Sequence, residues 1–241
     1  MKLFLFPLFI FFVCIASCQT NQNLVAPSKL IKPVVVELFT SQGCSSCPPA
    51  EELLAEMSDK DTNILLLSYH VDYWNRLGWV DTFSYKSFTE RQYKYGNVFG
   101  LQSVYTPQAV INGRYETVGS NRKNITNYIN RNYNYQNIIV NTKVVKQGNK
   151  VSLSIDNIPQ NNKYQFTALL VIKDAATQIN AGENEGLLLR HKNIVVDIKQ
   201  LSISKDKVDF VLTDTKQNYM VVVLASQIDK GEINDVVVLQ F

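Results

Sequence analysis

The feature that most constrains this chain is the run "VVVELFTSQGCSSCPPAEELLAEMSDKDTNILLLSYH", residues 34–70, where two short apolar stretches flank a segment of helical periodicity. Val34 to Phe39 is apolar and rich in β-branched residues, as suits a buried parallel strand. "PPAEELLAEMSDK" then reads as a helix: Pro is tolerated in a first turn, acids gather early, and Leu53, Leu54 and Met57 fall at helical spacing. "NILLLSYH" reads as a second buried strand, so the run predicts a βαβ unit with tight connections.

Two cysteines, Cys44 and Cys47, stand three positions apart where the first strand gives way to the helix. A Cys-x-x-Cys pair can be a redox couple, half of a metal site or an inert staple. A zinc ribbon needs a second Cys or His pair, and the mature chain offers only His70 and His191. At a helix N-terminus, unpaired N–H groups stabilise a thiolate, and the pKa of such a cysteine falls to about 3.5–7.5. Cys44 is therefore the candidate attacking thiol and Cys47 the resolving one. Pro48 disfavours α geometry at Cys47, which predicts a later helix start with Ser45 or Ser46 as cap. Glu37 is an acid inside an apolar strand near the pair. It reads either as a buried proton relay or as a group that points to an edge or binds a Lys.

The N-terminus bears on the redox compartment. "MKLFLFPLFIFFVCIASCQTNQN" has Lys2, an apolar run from Leu3 to Ala16 too short to span a bilayer, and then small residues, the pattern of a secretory signal. Ile15-Ala16-Ser17-Cys18 resembles the lipobox of bacterial lipoproteins; the alternative is an ordinary signal peptide with a chance cysteine. We expect a lipoprotein-type signal over residues 1–17, lipidation of Cys18 and a polar tether over 18–32. The expected location is the bacterial cell envelope, lipid-anchored and facing the periplasm or the surface. Only Cys44 and Cys47 then remain as thiols, and outside the cytoplasm they oxidise unless a partner keeps them reduced. The net charge of +3 is spread over scattered Lys and Arg, which argues against nucleic acid as a partner.

Beyond the second strand, "VDYWNRLGWVDTF" reads as an aromatic-rich connection. His70 and Asp72 lie at a strand's C-terminal end, where ligands meet open α/β sheets, and with Trp74 they are candidate substrate-binding residues. The alternatives are that Trp74 and Trp79 plug the junction between domains rather than line a substrate groove, and that His70 is structural rather than assisting thiol chemistry or binding metal. "SYKSFTERQYKYGN" reads as a helix with Arg91, Tyr93 and Tyr95 on a solvated face. "YTPQAVINGRYETVGS" reads as a hairpin turning at Asn112-Gly113, and "NRKNITNYINRNY" as a further helix. From about Ile138 seven strand-like segments follow, interrupted by a Gly-containing loop, "NAGENEGLLLRHKN", that holds His191; they suggest an antiparallel sandwich.

The motifs "ELFTSQGCSSCPPAE", "YHVDYWNRLGW", "FTERQ", "VYTPQAVINGR", "GSNR" and "GENEGLLLRHKNIVVDIKQL" resemble a family of secreted bacterial proteins of unknown function with a thioredoxin-like fold. The resemblance implies an α/β thioredoxin-like domain over residues 33–135 followed by an all-β, sandwich-like domain over 136–241. Carried over from thioredoxin-like oxidoreductases, it implies a cis Pro107 beside the cysteines, with Thr106 contacting substrate and Glu37 as the counterpart of the buried acid. The spacing from Glu37 to Cys44 is one residue longer than in thioredoxin, and Gly43 replaces the usual aromatic. The expected function is a membrane-tethered thiol–disulfide oxidoreductase with no cofactor beyond its disulfide, acting on a thiol- or disulfide-bearing protein client with a separate redox partner. The alternatives are copper(I) held by both thiolates and His70, and a non-catalytic binding or assembly protein with a static disulfide.

Overall fold

The computed structural model describes residues 32–139, 141–156, 158–159, 163–202 and 206–241. The signal, Cys18 and all of the tether but Lys32 lie outside the described residues. The expected βαβ unit forms: β1 (Val34–Thr40) pairs in parallel with β2 (Ile64–His70), and α1 (Pro48–Lys60) connects them. After α2 (Lys86–Phe99) come β3 (Gln108–Ile111) and β4 (Tyr115–Val118), an antiparallel hairpin beside β1, and then α3 (Arg122–Ile129). The hairpin turns at Asn112 and Gly113, both at positive φ, as its sequence predicts. The seven C-terminal segments are strands: β5 (Thr142–Gln147), β6 (Lys150–Ile155), β7 (Tyr164–Gln178), β8 (Leu188–Leu201), β9 (Lys207–Val211), β10 (Tyr219–Gln227) and β11 (Ile233–Gln240).

These strands do not make two domains in series. Eight of them form one mixed sheet in the order β11-β10-β7-β8-β2-β1-β3-β4, and β5, β6 and β9 form a separate three-stranded sheet. The expected fold, an α/β thioredoxin-like domain followed by an all-β sandwich, is therefore corrected: the protein is mostly β, and its large sheet draws strands from both halves of the chain. The physical reason is that β2 is not an edge. Ser68 pairs with Ile194 of β8, and the Ser68 hydroxyl donates to the Lys192 carbonyl at 2.8 Å. Residues 31–241 make a single compact unit.

Alternation along the strands sorts the core onto two faces. Val36, Leu38 and Leu66 pack against Ala50 and Leu54 of α1 and Ile125 of α3. Val35, Phe39, Leu67 and Tyr69 turn the other way, onto Phe88 and Tyr95 of α2, and that cluster runs on through Leu169, Val171, Val195 and Val222. The small sheet buries Val151, Leu153 and Phe210 against Phe166, Leu170, Ile194 and Val221. The sheet also curls until its far ends meet: Ile233 N–H donates to the Asn112 carbonyl at 2.9 Å. Gly113 is required there, since a Cβ would fall 2.0 Å from the Gly231 carbonyl oxygen. No helix among the described residues is long and apolar enough to cross a membrane.

A fragment ending at residue 135 should consequently fail to fold alone, because it exposes the edge of β2 and strips Val171, Val195 and Val222 from the α2 cluster. Circular dichroism and urea unfolding of the fragment are expected to show no cooperative transition; a cooperative one would contradict the shared sheet.

Candidate functional site

The site begins where β1 ends. Beyond Thr40 the chain turns through Ser41, Gln42 and Gly43, all buried, into Cys44, and the Cys44 N–H closes the turn on the Ser41 carbonyl at 3.1 Å. Cys44 and Cys47 are joined as a disulfide with Cα atoms 5.4 Å apart. Cys47 itself is the N-cap of α1 with no side-chain cap, and it adopts right-handed α geometry (φ −78°, ψ −42°). The helix does start late, at Pro48, but the cap expected at Ser45 or Ser46 and the non-helical geometry expected at Cys47 are corrected; Pro48 occupies the first helical position, where its missing N–H costs nothing.

One turn along α1 from Cys47, on the same face, stands Glu51. Its carboxylate accepts from the Thr40 hydroxyl (2.5 Å) and bonds His191 Nδ1 of β8 (2.5 Å). A second pair faces it. His70 Nδ1, at the end of β2, lies 2.7 Å from Asp81 Oδ2, which also accepts the Gln42 backbone N–H at 2.7 Å. The two imidazoles meet edge to face with centroids 4.9 Å apart, and Phe83 packs edge-on to both. The Gln42 side chain bridges the cluster: Nε2 lies 3.3 Å from His191 Nε2 and 3.1 Å from Thr177 Oγ1, while Oε1 accepts from the Trp79 indole at 2.9 Å. Glu51, His70, Asp81 and His191 are all buried.

Electrostatics favour the charged forms of Glu51, Asp81 and His70. Burial opposes a charge on Glu51, yet the hydrogen bond from His191 and the charges of His191 and His70 hold its carboxyl below the ordinary range. Burial likewise opposes charge on Asp81, and the His70 imidazole overcomes it, lowering that pKa. For His70, burial pulls downward, but Asp81 and then Glu51 raise its pKa above the usual value.

The tip of the β7–β8 hairpin, residues 179–187, is hydrogen-bonded to the turn that carries the disulfide. The Asn184 amide donates to the Gln42 carbonyl (2.8 Å) and the Cys44 carbonyl (3.0 Å), and the Ser45 N–H donates to Glu183 at 3.2 Å. Both cysteines are 0 % exposed, so a thiol cannot reach either sulfur without a local opening. Beside the tip, a groove of about 440 Å³ runs along α1 past Pro48, Glu51, Glu52, Leu189 and Arg190.

Of the residues expected at the site, Cys44, Cys47 and His70 do converge, and Trp74 joins them at the rim. Its Cβ lies against Gly43, and its indole donates to the Thr106 hydroxyl at 2.8 Å. Pro107 follows Thr106 through a cis peptide and packs by Gly119, where Leu38 and Ala50 also converge. Glu37 and Asp72 are placed elsewhere. Glu37 points to the α2 face, opposite α1, where it accepts from Arg91 Nε (2.7 Å) and from the Tyr95 hydroxyl. Arg91 and Tyr95 are therefore not a solvated face; only Tyr93 of that trio is exposed. Asp72 ties the end of β2 to α2 by accepting from the Thr89 hydroxyl at 2.6 Å. His191 lies inside β8 rather than in the loop. The thiolates that a copper(I) site needs exist only once the disulfide is reduced.

Sequence reasoning did not single out Glu51, Asp81, Gln42 or Asn184. A signal existed for Glu51, four residues after Cys47 in a helix, and for Asn184, in the same polar loop segment as His191. Asp81 and Gln42 carry no local signal.

The fold and site together define a mostly β protein with an occluded Cys-x-x-Cys disulfide set above two facing His–carboxylate pairs. The chain belongs to the family described as "Protein of unknown function (DUF1223)", whose model matches residues 35–240. It is similar to the crystal structure of protein AGR_C_4864 from Agrobacterium tumefaciens, at 28 % identity and a TM-score of 0.64, over 89 % of this chain and 96 % of that one. A comparison with curated proteins returned no match.

The placement of Glu37 yields a prediction. Arg91→Leu leaves a buried carboxylate without its cation and should lower stability by about 3–5 kcal/mol in urea unfolding. Under native conditions it should not change the rate at which dithiothreitol reduces the disulfide. A changed rate in the folded variant would link Glu37 to the sulfurs.

Proposed function

We propose that the protein is a thiol–disulfide oxidoreductase tethered to the bacterial cell envelope through Cys18, and that the β7–β8 tip gates its Cys44–Cys47 disulfide. The observation that carries this reading is the position of the pair. The disulfide closes on the N-cap of α1, one turn from a buried Glu51–His191 pair, in a turn tied to the β7–β8 tip by three hydrogen bonds. An inert staple needs neither the polar cluster nor a polar tie.

In the exchange step a client thiolate attacks Cys44 Sγ, and the Cys44–Cys47 bond breaks as the mixed disulfide forms. Cys47 leaves as a thiolate at the N-terminus of α1, the positive end of the helix dipole. A second client thiolate then attacks the client sulfur of the mixed disulfide and expels Cys44. The client dithiol is oxidised by two electrons and the protein disulfide is reduced by two; the two protons that the client thiols lose on ionising are matched by two that Cys44 and Cys47 take up, so none is released overall. Run backwards, the same steps reduce a client disulfide.

A second reading, a binding or assembly protein with a static disulfide, is favoured by the complete burial of both sulfurs. Two experiments separate the readings. Asn184→Ala removes two of the tip's hydrogen bonds, each contributing about 1 kcal/mol, so reduction by dithiothreitol should accelerate about 10- to 30-fold. An unchanged rate would mean that the tip is no gate. In cells, Cys47→Ser should accumulate mixed disulfides through Cys44, visible on non-reducing gels and lost in the Cys44→Ser, Cys47→Ser double variant. If no Cys44-dependent adduct forms, the exchange reading is wrong.

A further inference from the structure

We propose that Glu51, His70 and His191 form a binding site for one divalent transition-metal ion, Zn²⁺ by its ligand chemistry, independent of the disulfide. The three residues come from α1, β2 and β8, and one ligand atom from each lies within 4.8 Å of the others. Two imidazoles and a carboxylate are the donor set of three-ligand zinc sites that keep a fourth position open. Tetrahedral bonds of about 2.0–2.1 Å put ligand atoms roughly 3.3 Å apart, so loading draws the most distant atoms together by up to about 1.5 Å and opens the Glu51–His191 pair, now at 2.5 Å, by about 0.8 Å.

An independent observation points to a ligand here. His70 Nε2 is buried and has no hydrogen-bond partner among the described residues. A buried polar nitrogen left unpaired costs free energy that a metal ion would recover. His70 is also held in the manner of a metal ligand: its other nitrogen, Nδ1, bonds Asp81, which fixes the ring and leaves Nε2 available. Asp81 is anchored in turn by the backbone N–H groups of Gln42 and Phe83 (2.7 and 2.9 Å). The ion would take the place of the proton between Glu51 and His191 Nδ1, with His70 Nε2 as the third ligand. Metal ligation requires both imidazoles in their neutral form; the two buried carboxylates, Glu51 and Asp81, then have no Lys or Arg bonded to them among the described residues, and a dication balances their charge. Of the three ligands, Glu51 lines the groove along α1 and is the one nearest solvent.

The site uses neither sulfur, so it can be tested with the disulfide intact, and its failure would leave the exchange reading standing. Purified, oxidised, metal-free protein is titrated with Zn²⁺ by calorimetry and with Co²⁺ by visible absorption. The expected result is one equivalent of either metal, with proton release and Co²⁺ bands that lack thiolate charge transfer. His70→Ala should weaken Zn²⁺ binding at least about 100-fold, and Glu51→Gln, which keeps the shape of the side chain, at least about 10-fold. Thermal melts establish that each variant is folded; if His70→Ala is not, Glu51→Gln and His191→Gln carry the comparison. Absence of saturable binding would overturn the proposal, as would an affinity unchanged in the folded variants.

Discussion

The arrangement around the disulfide depends on one buried bond, between His191 on β8 and Glu51 on α1, which joins residues 140 apart in sequence. Ordering so long a loop costs conformational entropy, and the bond alone could not offset it. The apolar packing of β7, β8 and β10 on α2 does, through Leu169, Val171, Val195 and Val222. Once β8 is seated beside β2 by the Ser68–Ile194 pairing, its first turn of chain delivers His191 to Glu51 and places Asn184 over the Cys44 carbonyl. The C-terminal half is therefore part of the site: it supplies one of the two imidazoles and the tip bonded to the disulfide's turn.

Local signals were legible and long-range ones were not. The strand–helix–strand run, the Asn112-Gly113 turn and all seven C-terminal strands follow from short-range periodicity and turn chemistry, and each is present. Strand partners are a different matter. Nothing in "NILLLSYH" says that its free edge meets a strand more than a hundred residues later, and a chain read by local pattern divides into two domains that the shared sheet does not respect. The same limit explains Glu37. An acid in an apolar strand is visible in sequence, but its partner is not, because Arg91 looks like an ordinary member of a polar helix until the sheet buries it. Glu51 was hidden among other acids at a helix start, a position where acids are expected for the helix dipole alone.

Charge and access act together at the disulfide. The His70–Asp81 and Glu51–His191 pairs form a buried polar layer, costly to assemble unless every group finds a partner. Nearly all do, through Thr40, Gln42, Trp79 and backbone N–H groups; the exception is His70 Nε2. The turn that carries the sulfurs is tied to the β7–β8 tip by hydrogen bonds to its backbone. Hydrogen bonds at a hairpin tip open at lower free energy than a core does, so the tie is compatible with exchange that waits on a local opening.

The reduction potential of the Cys44–Cys47 pair tests the central claim most directly. It is measured by equilibrating the protein in glutathione buffers of known poise and counting alkylated thiols. The account predicts a value in the span of catalytic pairs, about −270 to −120 mV. A potential below about −300 mV, the range of structural disulfides, would contradict it.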